Sequence, residues 1–556
     1  MLNRRDFLKT SALGLAGLSL PVRALASRQP AGRFGVHPFV ETHPEAVFIM
    51  RTRVDDMRNA AAKRETGTAF GRSVFVPYDK GGLPPGSPMG AFHTSGCPID
   101  ITIPVKLNLK TADAGMYPLE YIIGTITDPF FSEGVFEALK ELGIAGKRIR
   151  IRENDRGDSF GPYGVIDMVN RVGADFRTDF TGVVGKGLNP GEHFNWTEVP
   201  DGRWFQKLPH LEPINQPGTW LLNISKFKTH GMGMTLCCKN LQGIVARPFT
   251  PFCARAKDDM GISTEFRMGN SLDTVERSYQ HHLAERPIPR WDRPGDNGGI
   301  WQEVWSTRTL DNLSVTRPGL NIIEGIYGRD GDCGNNGPHE PLAKTDKLPG
   351  VTARDYMANI IVFGKDPFRT DIIGHWLGGH EPGNFGFFHL VLERGLSTAL
   401  DPNKIPVYLW ENGSAVLTPI ERFPRTPLLT YYLAMDYNGG TEPFYHLVNE
   451  PFDYSTVHGI SGPPLPKRPE VIVHRSSLIN PANPLVPIEY RLPRGGDVRL
   501  EIRDKRGRVI AVPVEGHRDG GAHLASWDAR NVHPGTYEYR LRADGQDVKG
   551  TVVLEM

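Results

Sequence analysis

Ile99-Asp-Ile-Thr-Ile-Pro-Val-Lys-Leu-Asn-Leu109, followed by Asp128-Pro129 and then by Lys147-Arg-Ile-Arg-Ile-Arg-Glu153, decides the fold class of this chain. The first segment alternates with period two, as a half-buried strand does. Asp128-Pro129 opens a helix from Phe130 to Leu142, with proline in the first turn, where a missing N–H is tolerated. Lys147 to Glu153 alternates again. Strand, helix, strand at this spacing is a βαβ unit, so the predicted fold class is an α/β core with a mostly parallel sheet.

Further along, Trp220-Leu-Leu-Asn-Ile-Ser-Lys-Phe-Lys-Thr-His230 reads as another strand. It runs into Gly231-Met-Gly233 and a helix expected from about Thr235 to Val245. Gly319 to Tyr327 reads as a strand, Ala358 to Phe363 as another, and Asp366 to Leu377 as a helix. Upstream, His43 to Arg58 reads as an amphipathic helix. Residues 247–310 look irregular apart from a helix around Ser263 to Ala284, and are taken as an insertion. Residues 403–475 are rich in proline.

From about residue 476 the texture changes. Short alternating segments recur at Val486–Leu492, Asp497–Arg503, Arg508–Pro513, His523–Asp528 and Gly535–Arg542. Turn signals such as Gly495-Gly496, Arg506-Gly507 and Gly520-Gly521 separate them, which is the pattern of an all-β sandwich. The expected organisation is therefore a leader over 1–26 and an α/β domain over 27–415 with its insertion at 247–310. A Pro-rich linker or wrap over 416–475 and a β-sandwich over 476–556 follow.

The leader begins Asn3-Arg4-Arg5-Asp6-Phe7-Leu8-Lys9, continues with an apolar run from Ser11 to Leu20, and ends at Ala24-Leu25-Ala26. It resembles a twin-arginine export signal, which addresses already folded proteins to the periplasm or exterior. The apolar run is about half of the roughly 20 residues that a spanning helix needs. A cleaved signal with no membrane span after processing is expected, with the twin-arginine export machinery as one partner.

Lys+Arg is 64 and Asp+Glu is 63, a net charge of +1. That balance makes no electrostatic case for nucleic acid. The five cysteines, Cys97, Cys237, Cys238, Cys253 and Cys333, include no C-x-x-C, so no local ligand set for a zinc ribbon or ferredoxin-type cluster exists. Adjacent Cys237 and Cys238 read as a buried pair.

Four stretches resemble the family of proteins of unknown function called DUF362. They are Val105-Lys-Leu-Asn108; Thr125-Ile-Thr-Asp-Pro129 with Ile151-Arg-Glu153; Lys226-Phe-Lys-Thr-His230 with Thr235, Lys239-Asn240 and Gly243; and Ile323-Glu-Gly325 with Gly337-Pro338, Gly364-Lys-Asp-Pro367 and Asp371. The resemblance spans about 90–415. Leu107 stands where the family block has proline. Some relatives carry ferredoxin-like cysteine clusters; this chain lacks them, so an iron–sulfur cluster is not carried over. The C-terminal part, from Asn480-Pro-Ala-Asn-Pro484 through Trp527-Asp528 to Gly535-Thr-Tyr537, resembles the Ig-like module of the flagellar hook-capping type, which implies attachment rather than catalysis.

Ligands of parallel sheets bind beyond the carboxyl ends of the strands. Lys226, Lys228 and His230 are spaced by two and fall on one face of their strand, with His230 at its end. Lys106 and Asn108 repeat that pattern. Together with Lys239, Asn240 and the loop containing Asp332 and Asn336 they form the expected site. Lys228, Lys239 and His230 would be catalytic; Lys106, Asn108, Lys226, Asn240, Asp332 and Asn336 would hold substrate. The bland alternative is edge-strand lysines serving solubility.

A divalent metal is compatible with His230, Asp332, Asp371 and His375, the last two being four apart on a helix. The same pair could instead serve capping or a core hydrogen bond. The loop starting at Asp330 begins like a calcium loop but has Pro341 at its twelfth position, so the EF-hand pattern fails. Gly185-Lys186 lacks a following Ser or Thr, so no P-loop is present. The expected function is an exported enzyme acting on a small anionic or sugar-like substrate in a Lys/His pocket. The alternative is a non-catalytic protein that captures an anion or glycan in the periplasm or at the cell surface.

Overall fold

Val47-Phe-Ile-Met-Arg51 forms strand β1, not part of a helix. Val47 and Ile49 pack on one side of the sheet and Phe48 on the other, so the period of two overrides the helical reading of His43–Arg58. The structure is a computed structural model. It describes residues 32–78, 96–109, 123–154, 164–177, 180, 182–249, 262, 266, 271–292, 298–331, 337, 339, 353–433, 446–457, 468–472, 477–478, 485–493, 496–518, 521–529, 532–543 and 545–555. The leader, Asp332, Asn336, Cys253 and Cys333 lie outside the described residues.

Helix α1 (Ala60–Val74) follows, its first turn capped by the Asn59 side chain. The βαβ unit is present: β2 (Ile103–Leu107), α2 (Pro129–Glu141) and β3 (Ile149–Arg152). Asp128 caps α2, accepting from Phe130 N and Phe131 N, with Pro129 next to it. Next come α3 (Val165–Val172) and β4 (Asp175–Arg177), then β5 (Leu222–His230) and β6 (Gly233–Thr235). The helix expected over Thr235–Val245 is α4 (Cys237–Asn240) with a tighter turn, Leu241–Ile244.

The presumed insertion holds α5 (Ser271–Ala284), and a longer helix, α6 (Gly299–Val315), starts inside the stretch expected to be irregular and runs past its end at 310. The chain continues through β7 (Leu320–Arg329), β8 (Asp355–Gly364), α7 (Pro367–Leu377), α8 (Gly386–Glu393), β9 (Val407–Glu411) and β10 (Ser414–Leu417).

The sheet order is β10-β9-β1-β8-β7-β5-β2-β3-β4, with β6 pairing β5. The run β7-β5-β2-β3-β4 and the β9–β1 pair are parallel. β8 is antiparallel to both neighbours, so the sheet is mixed. Both faces are covered. Phe70, Phe131, Val135 and Val165 pack on Val105, Leu107, Ile151, Leu222 and Ile224. Cys237, Leu241, Leu310, Ile372 and Phe388 share the opposite core with Leu221, Phe227, Ile323 and Val362. Val407 of β9 and the buried Leu428, Tyr432 and Val448 join that core, which extends past residue 415 into the stretch read as a linker or wrap.

The C-terminal region is all-β. It comprises β11 (Glu470–Ile472), β12 (Ser477–Leu478), β13 (Leu485–Leu492), β14 (Gly496–Arg503), β15 (Val509–Arg518), β16 (Gly521–Asp528), β17 (Gly535–Ala543) and β18 (Gln546–Glu555). They form a three-stranded sheet, β11-β13-β16, and a five-stranded sheet, β12-β18-β17-β14-β15, antiparallel except at β12. Val486, Ile488, Tyr490, Leu500, Leu541 and Trp527 form its own core.

Candidate functional site at the strand carboxyl ends

From β2 the chain steps outward through β3 and β4, whereas β5 and β7 lie on the other side of β2. The order reverses between β2 and β5, the place where open α/β sheets bind ligands. Asn108 follows β2, and Lys228 and His230 end β5. The segment before α2 plugs one face of this reversal: Thr127 Oγ1 donates to Ile224 O, and Lys228 Nζ donates to Thr125 O at 2.6 Å.

Register separates the lysines that the sequence reading grouped. Asn223 pairs with Lys106, so these two share a face, while Lys226 lies three residues on and faces the other way. Lys106 Nζ reaches Glu153 Oε2 at 2.7 Å and Asn240 Oδ1 at 3.1 Å. The Asn240 amide donates to Asn223 Oδ1 at 2.8 Å. Gly243 closes over the pair: a Cβ there would lie 2.3 Å from Glu153 Oε1 and 2.5 Å from Lys106 Cε.

On the opposite face Lys226 Nζ meets Glu324 Oε2 at 2.7 Å and sits 3.4 Å from the centre of the Tyr327 ring. Tyr327 donates to Asp128 Oδ2 at 2.6 Å, and Lys63 binds the same oxygen at 2.5 Å. Two cations and two carboxylates are thus buried together. Burial pushes the Lys226 ammonium pKa down and the Glu324 carboxyl up, while their contact opposes both shifts. Lys106, Lys226 and Lys228 are all buried on inner strands, which removes the edge-strand solubility reading.

His230 Nδ1 accepts from Met232 N at 3.0 Å within the β5–β6 turn. Gly233, its partner in the ladder, has a φ of 107° that glycine adopts without strain. Lys239 is half-buried on α4. Asp371 and His375 do separate jobs. The Asp371 carboxylate caps α4, accepting from Cys237 N at 2.7 Å and Cys238 N at 2.9 Å, and burial lifts its pKa to about 7. His375 Nδ1 bonds the Asp371 carbonyl, and burial lowers its pKa to about 4. Cys237 and Cys238 are buried, and burial raises both thiols. Among the described residues no three His, Cys, Asp or Glu side chains converge to hold a metal.

A cluster the sequence reading missed stands at the end of β7. Thr229 Oγ1 ties β5 to this end, donating to Gly331 O at 2.9 Å. Asp330, its side chain fully buried, accepts from Arg354 N at 2.8 Å through Oδ1. Its Oδ2 lies 2.5 Å from His339 Nε2 and 3.1 Å from the Tyr356 hydroxyl. Tyr356 also contacts His339 Nε2 at 3.0 Å, and burial lifts the phenol to about 12. A carboxylate only accepts, so Nε2 carries the proton and Nδ1 the lone pair. Nδ1 makes no hydrogen bond among the described residues, and the His339 side chain is 16% exposed. The signal was Asp330 at the start of the noted loop, with His339 directly after Pro338. Asn108 Oδ1, Thr235 Oγ1 and Asp355 Oδ1 are buried without a hydrogen-bond partner among the described residues, as polar groups at binding sites are.

The fold and these strand-end residues define an α/β protein covered on both faces of its sheet, with buried polar side chains gathered where the strand order reverses. Residues 103–375 match the family described as Domain of unknown function (DUF362). The chain matches no curated protein and no solved structure.

Proposed function

We propose that this protein is an exported enzyme that moves a proton on a small anionic or sugar-like substrate at the carboxyl ends of β5 and β7. The observation that carries the reading is the Asp330–His339 pair, 2.5 Å apart, with Nδ1 making no hydrogen bond among the described residues. Asp330 orients the imidazole by accepting from Nε2, so Nδ1 is the group that accepts a proton. The Tyr356 hydroxyl, in contact with both, stabilises the pair. The oxygens of Asn108, Thr235 and Asp355 that have no hydrogen-bond partner among the described residues suit a ligand bearing hydroxyl groups. Lys106 and Lys226 act here by fixing the strand ends, because each already has a carboxylate partner.

The leader supports twin-arginine export to the periplasm or exterior, and the C-terminal strands support an Ig-like attachment module. The test is incubation of the mature protein in D2O with a panel of hydroxy acids, aldoses and sugar phosphates, followed by proton NMR. Loss of a carbon-bound proton signal supports the enzyme. Ligand-induced stabilisation with no exchange or turnover across the panel would instead make it a binding protein. Elemental analysis of the same preparation tests the expectation of a divalent metal.

A further inference from the structure

The helices between residues 271 and 315 build a second polar cluster that shares no residue with the strand-end site. His282 Nδ1 lies 2.8 Å from Glu303 Oε2, and its Nε2 lies 2.6 Å from Glu393 Oε2. Trp291 Nε1 donates to Glu303 at 2.5 Å, and Arg203 to Glu393 at 2.9 Å. These bonds use up the buried cluster and leave it close to neutral.

Beside it opens a cleft of about 450 Å³, within the usual range of small-molecule sites. His389 lines this cleft and is only 6% exposed. Its Nε2 lies 2.8 Å from the Gly383 carbonyl, which only accepts. The proton therefore sits on Nε2 and a lone pair on Nδ1. Burial lowers this imidazole to about 4, so it is neutral at pH 7. Nδ1 makes no hydrogen bond among the described residues.

The remaining lining mixes donors, acceptors and apolar surface. Arg286 donates, Glu285 accepts, and Ile288, Phe452 and Val457 offer apolar walls. Arg286 and His282 both face Glu393, and Glu285 adds a second carboxylate to the lining, so the two cations and two anions sum to no net charge. Hydroxyl groups both donate and accept, and a sugar ring has a C–H face that fits an aromatic side chain. We propose that this cleft binds a neutral carbohydrate, with one hydroxyl donating to His389 Nδ1 and the ring lying against Phe452.

The experiment is titration calorimetry of the mature full-length protein with cellobiose, maltose and chitobiose, and with glucuronate and glucosamine as charged controls. Binding of a neutral disaccharide in preference to the charged sugars is the expected result. Thr456→Trp, at an exposed position on the lining, blocks the cleft without disturbing the core and is expected to weaken binding at least tenfold. His389→Leu removes the acceptor and is expected to weaken it about tenfold while the protein remains folded by circular dichroism. The proposal is overturned if no neutral sugar binds, if only a charged sugar binds, or if Thr456→Trp binds as tightly as the parent.

Discussion

Lys226 and Glu324 face each other across β5 and β7, with Nζ 2.7 Å from Oε2 and neither side chain exposed. Removing one partner of such a pair strands the other charge in a dry interior, at a cost of about 3–5 kcal/mol. Lys226→Met is therefore expected to lower unfolding stability by that order in urea titrations. Lys226→Met combined with Glu324→Gln is expected to recover a large part of the loss, because no charge is then left unpaired. Equal loss in the single and double variants would mean that packing against Tyr327, not charge, sets the cost.

That pair also marks where sequence reading stopped. The βαβ unit was legible because Asp128-Pro129 is a strong helix start between two alternating segments. The faces of Lys106 and Lys226 were not, because register between distant strands leaves no local trace. α6 was read as irregular because its buried side includes Gln302, Glu303, Arg308, Asp311 and Asn312. Asp311, for instance, accepts from the amides of Arg203, Trp204 and Phe205, so a polar residue holds an interior place. The strand Val47–Arg51 was lost to a helical pattern drawn across its flanks. Lys228 and His230 do end β5 as expected, yet the Asp330–His339 contact brings together a strand end and a loop residue.

Gly243 is expected to tolerate no side chain. Its missing Cβ leaves room for the Lys106–Glu153 pair, and a methyl group would overlap both partners. Gly243→Ala should cost about 1–3 kcal/mol, the usual range for overpacking. The same variant is expected to loosen Asn240, which Lys106 also binds. Hydrogen exchange at α4 should rise in step with the loss of thermal stability, and unchanged protection there would detach Asn240 from the lysine.

His282 gives the fold a pH dependence with a definite sign. Burial alone would lower this imidazole, but its bonds to Glu303 and Glu393 raise it to about 9, above its ordinary 6.5. Its contribution to stability is therefore complete below pH 6.5 and fades as pH rises through 9. Glu393 runs the other way. Burial raises it, yet the bonds from His282 and Arg203 hold it at about 2, so its contribution is complete above pH 4.5 and lost as pH falls through 2. The Tm difference between the parent and His282→Gln should be largest near pH 5 to 6 and shrink markedly by pH 9.5. A difference that stays constant with pH would show that the imidazole contributes by shape alone.

His339 is expected to separate chemistry from folding. The imidazole is held by Asp330 and Tyr356 at the strand ends, and no backbone bond of β7 or β8 depends on it. His339→Gln should therefore keep the parent Tm to within a few degrees while slowing proton exchange on an accepted substrate by about 100-fold or more, the range for loss of a general base. Asp330→Asn keeps the size of the side chain but offers the imidazole a poorer partner, so a smaller loss in rate is expected. Tyr356→Phe should slow the reaction least, since the phenol stabilises the pair without being the group that takes the proton. The order of the three rates is the decisive readout. If His339→Gln exchanges as fast as the parent while Lys228→Met or His230→Gln abolishes exchange with folding intact, the proton acceptor lies at the end of β5, not at the loop beyond β7.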